Sequence, residues 1–308
     1  MLSIIETIAP IFMVIMVGWG LSHKKILTQE VSGPLNKIVF YLAIPVMIFE
    51  KVAHADFSAN FSTTLVVGVL LAAASGFFLA VLVVSIFPVY PRHKGTFAQA
   101  SFHGNIGYIG LAVAYYFLGD LGLTRASILS AFILILQNFL SVAGLQYFSN
   151  NEQTRGKFSV FLKNVAGNPV IISAVAGSAV SLAGIPIPEI ISRFLHIISG
   201  MALPLALLDI GGSLSFPVIK AHWAPTLATG FIKLLFLPAA GWFLFTMMGV
   251  PHDLQLVGII LLGAPTATVT YVMAREMGGA TALASSAISL NTLASALTYV
   301  LWLGIIVQ

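Results

Sequence analysis

Residues Ser101–Gly110 read SFHGNIGYIG, and the chain is apolar on either side: Phe97 and Ala98 come before, and LAVAYYFL (Leu111–Leu118) follows. Two glycines bracket Asn105 in the middle of a stretch otherwise fit to cross a bilayer, with His103 beside them. Glycine weakens a helix and admits unusual dihedrals. The segment therefore reads as an interrupted helix, and the surrounding chain has to explain the interruption.

Composition sets the medium. Of the 308 residues, 8% are charged and 58% hydrophobic, whereas a soluble chain carries roughly 25% charge. A soluble fold of this length would lack a charged shell, so the chain is expected to be an all-α polytopic membrane protein. The apolar runs are too long and continuous for barrel strands. No cysteine is present, which excludes disulfides and thiolate metal sites. The net charge of +4 reads as topology-setting loop charge, and no basic run is long enough for a nucleic-acid partner. The first apolar stretch, Ser3–Leu21, contains Glu6 and Pro10 with no basic residue ahead of it; it reads as a retained span rather than a cleaved signal.

A crossing helix needs about 20 apolar residues. Polar clusters at His23–Glu30, Lys51–Asn60, Pro91–Lys94, Gly119–Arg125, Ser149–Lys157, Gly184–Pro188, Ser215–His222, Val250–Asp253 and Arg275–Gly279 divide the chain into ten segments. The loop Ser149–Lys157 falls near mid-chain and reads as a hinge between halves 1–150 and 151–308. Loops after odd-numbered helices hold Lys24, Lys25, Arg92, Lys94, Arg155, Lys157, Lys163, Lys220 and Arg275; those after even-numbered helices hold only Lys51, Arg125 and Arg193. The richer side should be cytoplasmic, with both termini on the other.

The halves share a register. One offset of 159 residues aligns Pro10 with Pro169, Gly18 with Gly177, Pro45 with Pro204, Glu50 with Asp209, and Gly119 with Gly278. Five helices per half is odd, so the second half enters the membrane from the opposite side. That makes an inverted repeat of the kind many secondary transporters use. The same offset sets Asn105 on Ala264, within LLGAPTATVTY (Leu261–Tyr271). Pro265 removes a backbone donor and clashes with the preceding turn. Gly104–Asn105–Ile106–Gly107 and Ala264–Pro265–Thr266 are thus expected to be crossing points of broken helices 4 and 9. The restart of each helix carries partial positive charge and free N–H groups, which favours a small organic anion, most simply a carboxylate. Asn105 would donate its amide, and Thr266, Thr268 and Thr270 their hydroxyls; opposing carbonyl ends would suit a cation. Packing glycines and a simple proline kink are the plainer alternative for either segment alone.

Other polar residues in the spans are candidates of two kinds. Gln137, Asn138 and Asn291 line the cavity or act as interhelical glue. Glu50, Asp209 and His103 are ion- or proton-coupling candidates, although Glu50 beside Lys51 also reads as a solvated helix end and His103 as a structural histidine. Lys233 is expected to snorkel, with a substrate role as the alternative. Trp19, Trp223, Trp242 and Trp302 read as interfacial anchors. No Walker motif, His-Glu-x-x-His or Gly-x-Ser-x-Gly occurs, so the chain is not read as an enzyme. No resident cofactor or metal is expected, and transport would be driven by a proton, a sodium ion or the membrane potential. A transporter-like sensor that binds a ligand without moving it is the second reading.

Several stretches together resemble the auxin efflux carrier family of bacterial permeases and plant carriers: NKIVFYLAIPVMIF (Asn36–Phe49), GNIGYIGLAVA (Gly104–Ala114), NPVIISAVAG (Asn168–Gly177), LPLALLDIGGSL (Leu203–Leu214) and GAPTATVTYVMA (Gly263–Ala274). The resemblance implies ten helices in two inverted halves. It also implies a scaffold of helices 1, 2, 6 and 7 that supports a homodimer through helices 2 and 7. Helices 3–5 and 8–10 would form a moving transport part with elevator-type alternating access. Family substrates are organic anions, auxins in plants and malate or malonate in some bacteria; the related bile-acid symporters use sodium. Plant carriers have proline in both crossings and often a long central loop. Here helix 4 has none and the loop is short, which argues against a plant hormone carrier and leaves the substrate open; the expected location is the cell inner membrane.

Overall fold

The computed structural model describes residues 2–87, 89–148, 162 and 165–307. The loop Ser149–Lys157, read above as a hinge, lies outside them. Among the described residues there is no strand, only one isolated antiparallel bridge between Gly104 and Thr266.

The helices run in chain order: α1 (Leu2–His23), α2 (Gln29–Ile38), α3 (Ile44–Ala53), α4 (Phe57–Asn60), α5 (Thr63–Ile86), α6 (Pro91–Phe102), α7 (Leu111–Phe148), α8 (Pro169–Leu182), α9 (Glu189–Ser199), α10 (Ala202–Ser213), α11 (Phe216–Ala221), α12 (Trp223–Gly230), α13 (Leu237–Met247), α14 (His252–Leu262), α15 (Val269–Glu276) and α16 (Thr281–Ile306). π-Helical turns at Val39–Ala43, Ile106–Gly110 and Phe231–Phe236 join α2 to α3, lead into α7, and join α12 to α13.

Seven of these helical stretches are long and apolar enough to cross a membrane, and α8 and α14 are shorter apolar helices. The stretch Ile106–Phe148 has 43 residues. At 1.5 Å per residue it would extend about 65 Å, twice the hydrocarbon thickness. Gly119 breaks it: φ of 69° and ψ of −159° are non-helical, and only glycine adopts such angles at no steric cost.

The chain gathers into two compact units. Unit one holds Met1–Thr63, Gly107–Phe132 and Ala166–Ser213; unit two holds Thr64–Ile106, Ile133–Val165 and Leu214–Gln308. In unit one, α1 and α10 touch backbone to backbone. A side chain at Gly18 would collide with the Leu208 carbonyl, and one at Gly211 with the Ile15 carbonyl. α8 meets α3 in the same way, with Gly177 against the Phe49 carbonyl and Val52. Without a hydrophobic drive between helices in lipid, small residues that admit this approach supply the packing.

In unit two, Phe77 and Phe102 sit edge to face with centroids 5.1 Å apart, among Leu140, Leu237 and Leu283. The π-helical turn Phe231–Phe236 is held by Trp302, whose indole N–H donates to the Leu234 carbonyl at 2.9 Å. Trp302 is buried. It is therefore an internal donor, not the interfacial anchor its type suggested, because the loosened turn offers it an acceptor.

Candidate functional site

α6 ends at Phe102, His103 is extended with φ −77° and ψ 101°, and the helix restarts at Ile106. α14 ends at Leu262 and the chain restarts as α15 at Val269. The gaps are His103–Asn105 and Gly263–Thr268. Ile106 and Gly107, expected inside the first crossing point, already belong to the π-helical restart. The two gaps meet in unit two. The Asn105 N–H donates to the Pro265 carbonyl at 2.6 Å, and the Ala267 N–H donates to the His103 carbonyl at 2.9 Å. Pro265 has no N–H to continue a helix, so it ends α14 and serves the bridge only as an acceptor. Extended backbone at membrane depth needs partners inside the protein, and each gap finds them in the other.

Each broken helix also exposes carbonyls at its end. Gln137 donates Nε2–H to the Phe102 carbonyl at 3.2 Å. Lys233 donates Nζ–H to the Leu262 carbonyl at 2.5 Å. Thr266 donates its hydroxyl to the Ala100 carbonyl at 2.7 Å and accepts from Asn291 Nδ2 at 2.8 Å. Asn291 reaches Thr266 past Gly230, where a Cβ would stand 2.6 Å from its Oδ1. His103 Nδ1 lies 2.8 Å from the Ser141 hydroxyl. Gly104 permits the close approach: a Cβ there would lie 3.2 Å from Lys233 Nζ and 3.3 Å from the Ala264 carbonyl. Four buried polar atoms around this cluster have no partner among the described residues: Asn105 Nδ2, Gln137 Oε1, Thr270 Oγ1 and Asn291 Oδ1.

Of the residues singled out from the sequence, the fold brings His103, Gly104, Asn105, Ala264, Pro265, Thr266, Gln137 and Asn291 into one connected cluster. Thr268 stands at the start of α15, where its carbonyl, not its hydroxyl, accepts from Tyr271. Asn138 donates to Leu134 of its own helix at 2.8 Å, so it acts as a local brace.

The favoured sequence reading of Lys233 also fails. The side chain does not snorkel; it is fully buried, with its ammonium end against the crossing. Its position near the middle of the span Trp223–Met247 was the available signal, because snorkelling works from helix ends.

The other two acidic candidates lie in unit one. Asp209 accepts from Ser32 Oγ at 2.8 Å and from Asn36 Nδ2 at 2.6 Å. Asn36 Nδ2 also lies 3.1 Å from the Tyr108 hydroxyl. Glu50 is buried rather than solvated, with Oε1 3.1 Å from His196 Nδ1 and Oε2 without a partner. Its neighbour Lys51 pairs instead with Asp120 at 2.8 Å. Glu50, Lys51, Asp120 and His196 line a cavity of about 650 Å³ with Glu189 and Arg193. No group of three or more metal-ligating side chains occurs among the described residues.

Comparison with known proteins places the chain in a family. The profile of the family described as "Membrane transport protein" matches residues 3–303. A "Putative malonate transporter" of Rhizobium meliloti is 25% identical over 317 residues, covering 97% of this chain and 94% of its own. An "Uncharacterized transporter" of Methanothermobacter thermautotrophicus is 25% identical over 311 residues, with 96% of each chain covered. The "Uncharacterized transporter YfdV" of Escherichia coli is 24% identical over 314 residues, covering 97% of this chain and 96% of its own. Multiple apolar helices, a pair of interrupted helices and a match over nearly the whole length agree: this chain belongs to the membrane transport protein family, that of the auxin efflux carriers.

Proposed function

We propose that this chain is a secondary carrier of small organic anions, carboxylates foremost, working in the inner membrane by elevator-type alternating access. The observation that carries the reading is the meeting of two helix gaps at Gly104 and Thr266. Two helix restarts, at Ile106 and Val269, follow directly on those gaps and offer the N–H-rich, electropositive ends that attract a carboxylate. Asn105, Thr266 and Asn291 then orient it. The name of the Rhizobium meliloti relative points to the same ligand chemistry.

The proposed architecture is ten crossings in two inverted halves. Its support is a repeated contact: Gly177 and Phe49 pack as Gly18 and Leu208 do, and Gly177 and Leu208 each stand 159 positions after their counterparts Gly18 and Phe49. The scaffold is proposed to comprise helices 1, 2, 6 and 7, with dimer contacts through helices 2 and 7. The compactness of unit one supports that grouping; it adds Gly107–Phe132, which the family resemblance assigns to the moving part. Unit two would carry the substrate. Glu50, Asp209 and His103 are the proposed coupling groups for a proton or sodium ion, and both termini face outward. A membrane potential would contribute about 2.3 kcal/mol per charge per 100 mV.

The test is uptake of radiolabelled mono- and dicarboxylates into proteoliposomes under imposed proton, sodium or potential gradients. Asn105→Ala should lower uptake by about tenfold or more, the cost of a lost hydrogen bond to a charged group, while expression and melting temperature hold. Unchanged uptake would remove the crossing from the site. Ligand binding without accumulation or exchange would favour the sensor.

A further inference from the structure

We propose that Lys233 supplies the positive charge that pairs with the transported anion at the crossing, and so sets the carrier's preference for anions over neutral molecules. This rests on the carrier reading above and adds to it the group that recognises charge.

The argument begins with cost. Lys233 is fully buried, and an intramembrane lysine is expensive to keep unless it has a partner. An ammonium has three N–H donors, yet among the described residues Lys233 has one hydrogen-bond acceptor, the Leu262 carbonyl. No ion pair among them involves Lys233. A cationic side chain is therefore held at the broken end of α14 with donors to spare and, among the described residues, no carboxylate to meet them.

The second observation is independent. Lys233 Nζ lies against Gly104, and the next residue, Asn105, is 6% exposed with an Nδ2 that has no partner. Spare ammonium N–H groups and an unused carboxamide donor thus flank one glycine. Two donor groups converging where a side chain is missing suit a carboxylate, whose two oxygens accept about four hydrogen bonds. At the other broken helix the corresponding carbonyl end is Phe102, and a neutral amide, Gln137, closes that one. Capping alone does not require a charge, so the charge at Leu262 needs a further use.

The experiment measures affinity for a charged ligand against its uncharged counterpart. Purified protein in nanodiscs is titrated with malonate, malate and benzoate, and with malonamide, malamide and benzamide. The wild-type protein should bind at least one carboxylate about a hundredfold more tightly than its amide, as expected for a desolvated charge pair. Lys233→Met should bring that ratio to about one, and Lys233→Arg should retain most of it. Asn105→Ala should weaken both ligands of a pair.

Equal wild-type affinities for carboxylate and amide overturn the proposal, and so does a Lys233→Met protein that keeps the full ratio. If Asn105→Ala still loses binding in that case, the crossing stands as the site and only the role of Lys233 falls. Wild-type protein that binds no carboxylate in the panel overturns both. Where Lys233→Met fails to fold, Lys233→Gln carries the same test: a folded Lys233→Gln protein that keeps the full ratio overturns the proposal, and one that loses it supports it.

Discussion

The two half-helices that end at the crossing begin alike and finish differently. α6 opens on Pro91 and α14 directly after Pro251, with His93 and His252 at positions 159 residues apart. His252 spends its ring on the Ile306 carbonyl at 2.7 Å. His93 faces another imidazole, His222, with ring centroids 5.9 Å apart. At the far ends, an amide closes α6 and a lysine closes α14. The gaps are unlike too: glycines bracket one, and proline breaks the other. Two similar interruptions thus meet, and side chains from different elements, α7 and the turn after α12, give them different chemistry. The pairing of gaps belongs to the fold, and the inequality between them is where selectivity is to be sought.

The sharpest way to break that comparison is at its centre. Gly104→Val should abolish uptake and lower stability by about 1–3 kcal/mol, because the added carbons press on Lys233 and the Ala264 carbonyl. Gly20→Ala, whose Cβ would meet nothing within 4 Å, serves as the control; a mild Gly104→Val phenotype would mean the gaps need not approach so closely. Next comes Thr266→Val, which removes a donor from Ala100 and an acceptor from Asn291. It should cost about 2 kcal/mol, the penalty for stranding a buried polar group, read as a lower melting temperature in nanodiscs.

Gln137→Leu is expected to cost less, about 1 kcal/mol, and to leave anion preference intact. A loss of preference there would make the two carbonyl caps equivalent. The smallest effect lies at the helix starts. Burial, and then the nearby His222, hold His93 below the ordinary histidine value of 6.5. The unfolded chain therefore binds a proton more readily as pH falls, and stability declines as pH drops through about 6.5 and below. His93→Gln should flatten that slope in thermal unfolding between about pH 8 and pH 5, whereas a steeper slope would reverse the assignment.

Much of this was legible from residue types. Long apolar runs, polar breaks and the mid-span glycines around Asn105 announced helices and an interruption, because those features act locally on the backbone. The proline at Pro265 did the same for its partner. What the sequence could not supply was the identity of the caps. Lys233 bonds to a carbonyl 29 positions away, and a backbone acceptor leaves no mark in the amino-acid alphabet. For the same reason Glu50 read as a solvated helix end beside Lys51, although His196, from a helix far along the chain, is what stands against it. Ser32, Asn36 and Tyr108 gave no separate signal, since small polar residues at helix ends are ordinary.

The π-helical turn at Phe231–Phe236 has a consequence for reading kin of this chain. Such a turn is an α-helix that has accepted one surplus residue. A homologue without the surplus would present everything beyond it rotated by about 100° around the axis. Ungapped superposition of two such strings would then equate Lys233 with a lipid-facing neighbour, and a functional lysine would look like a random surface change.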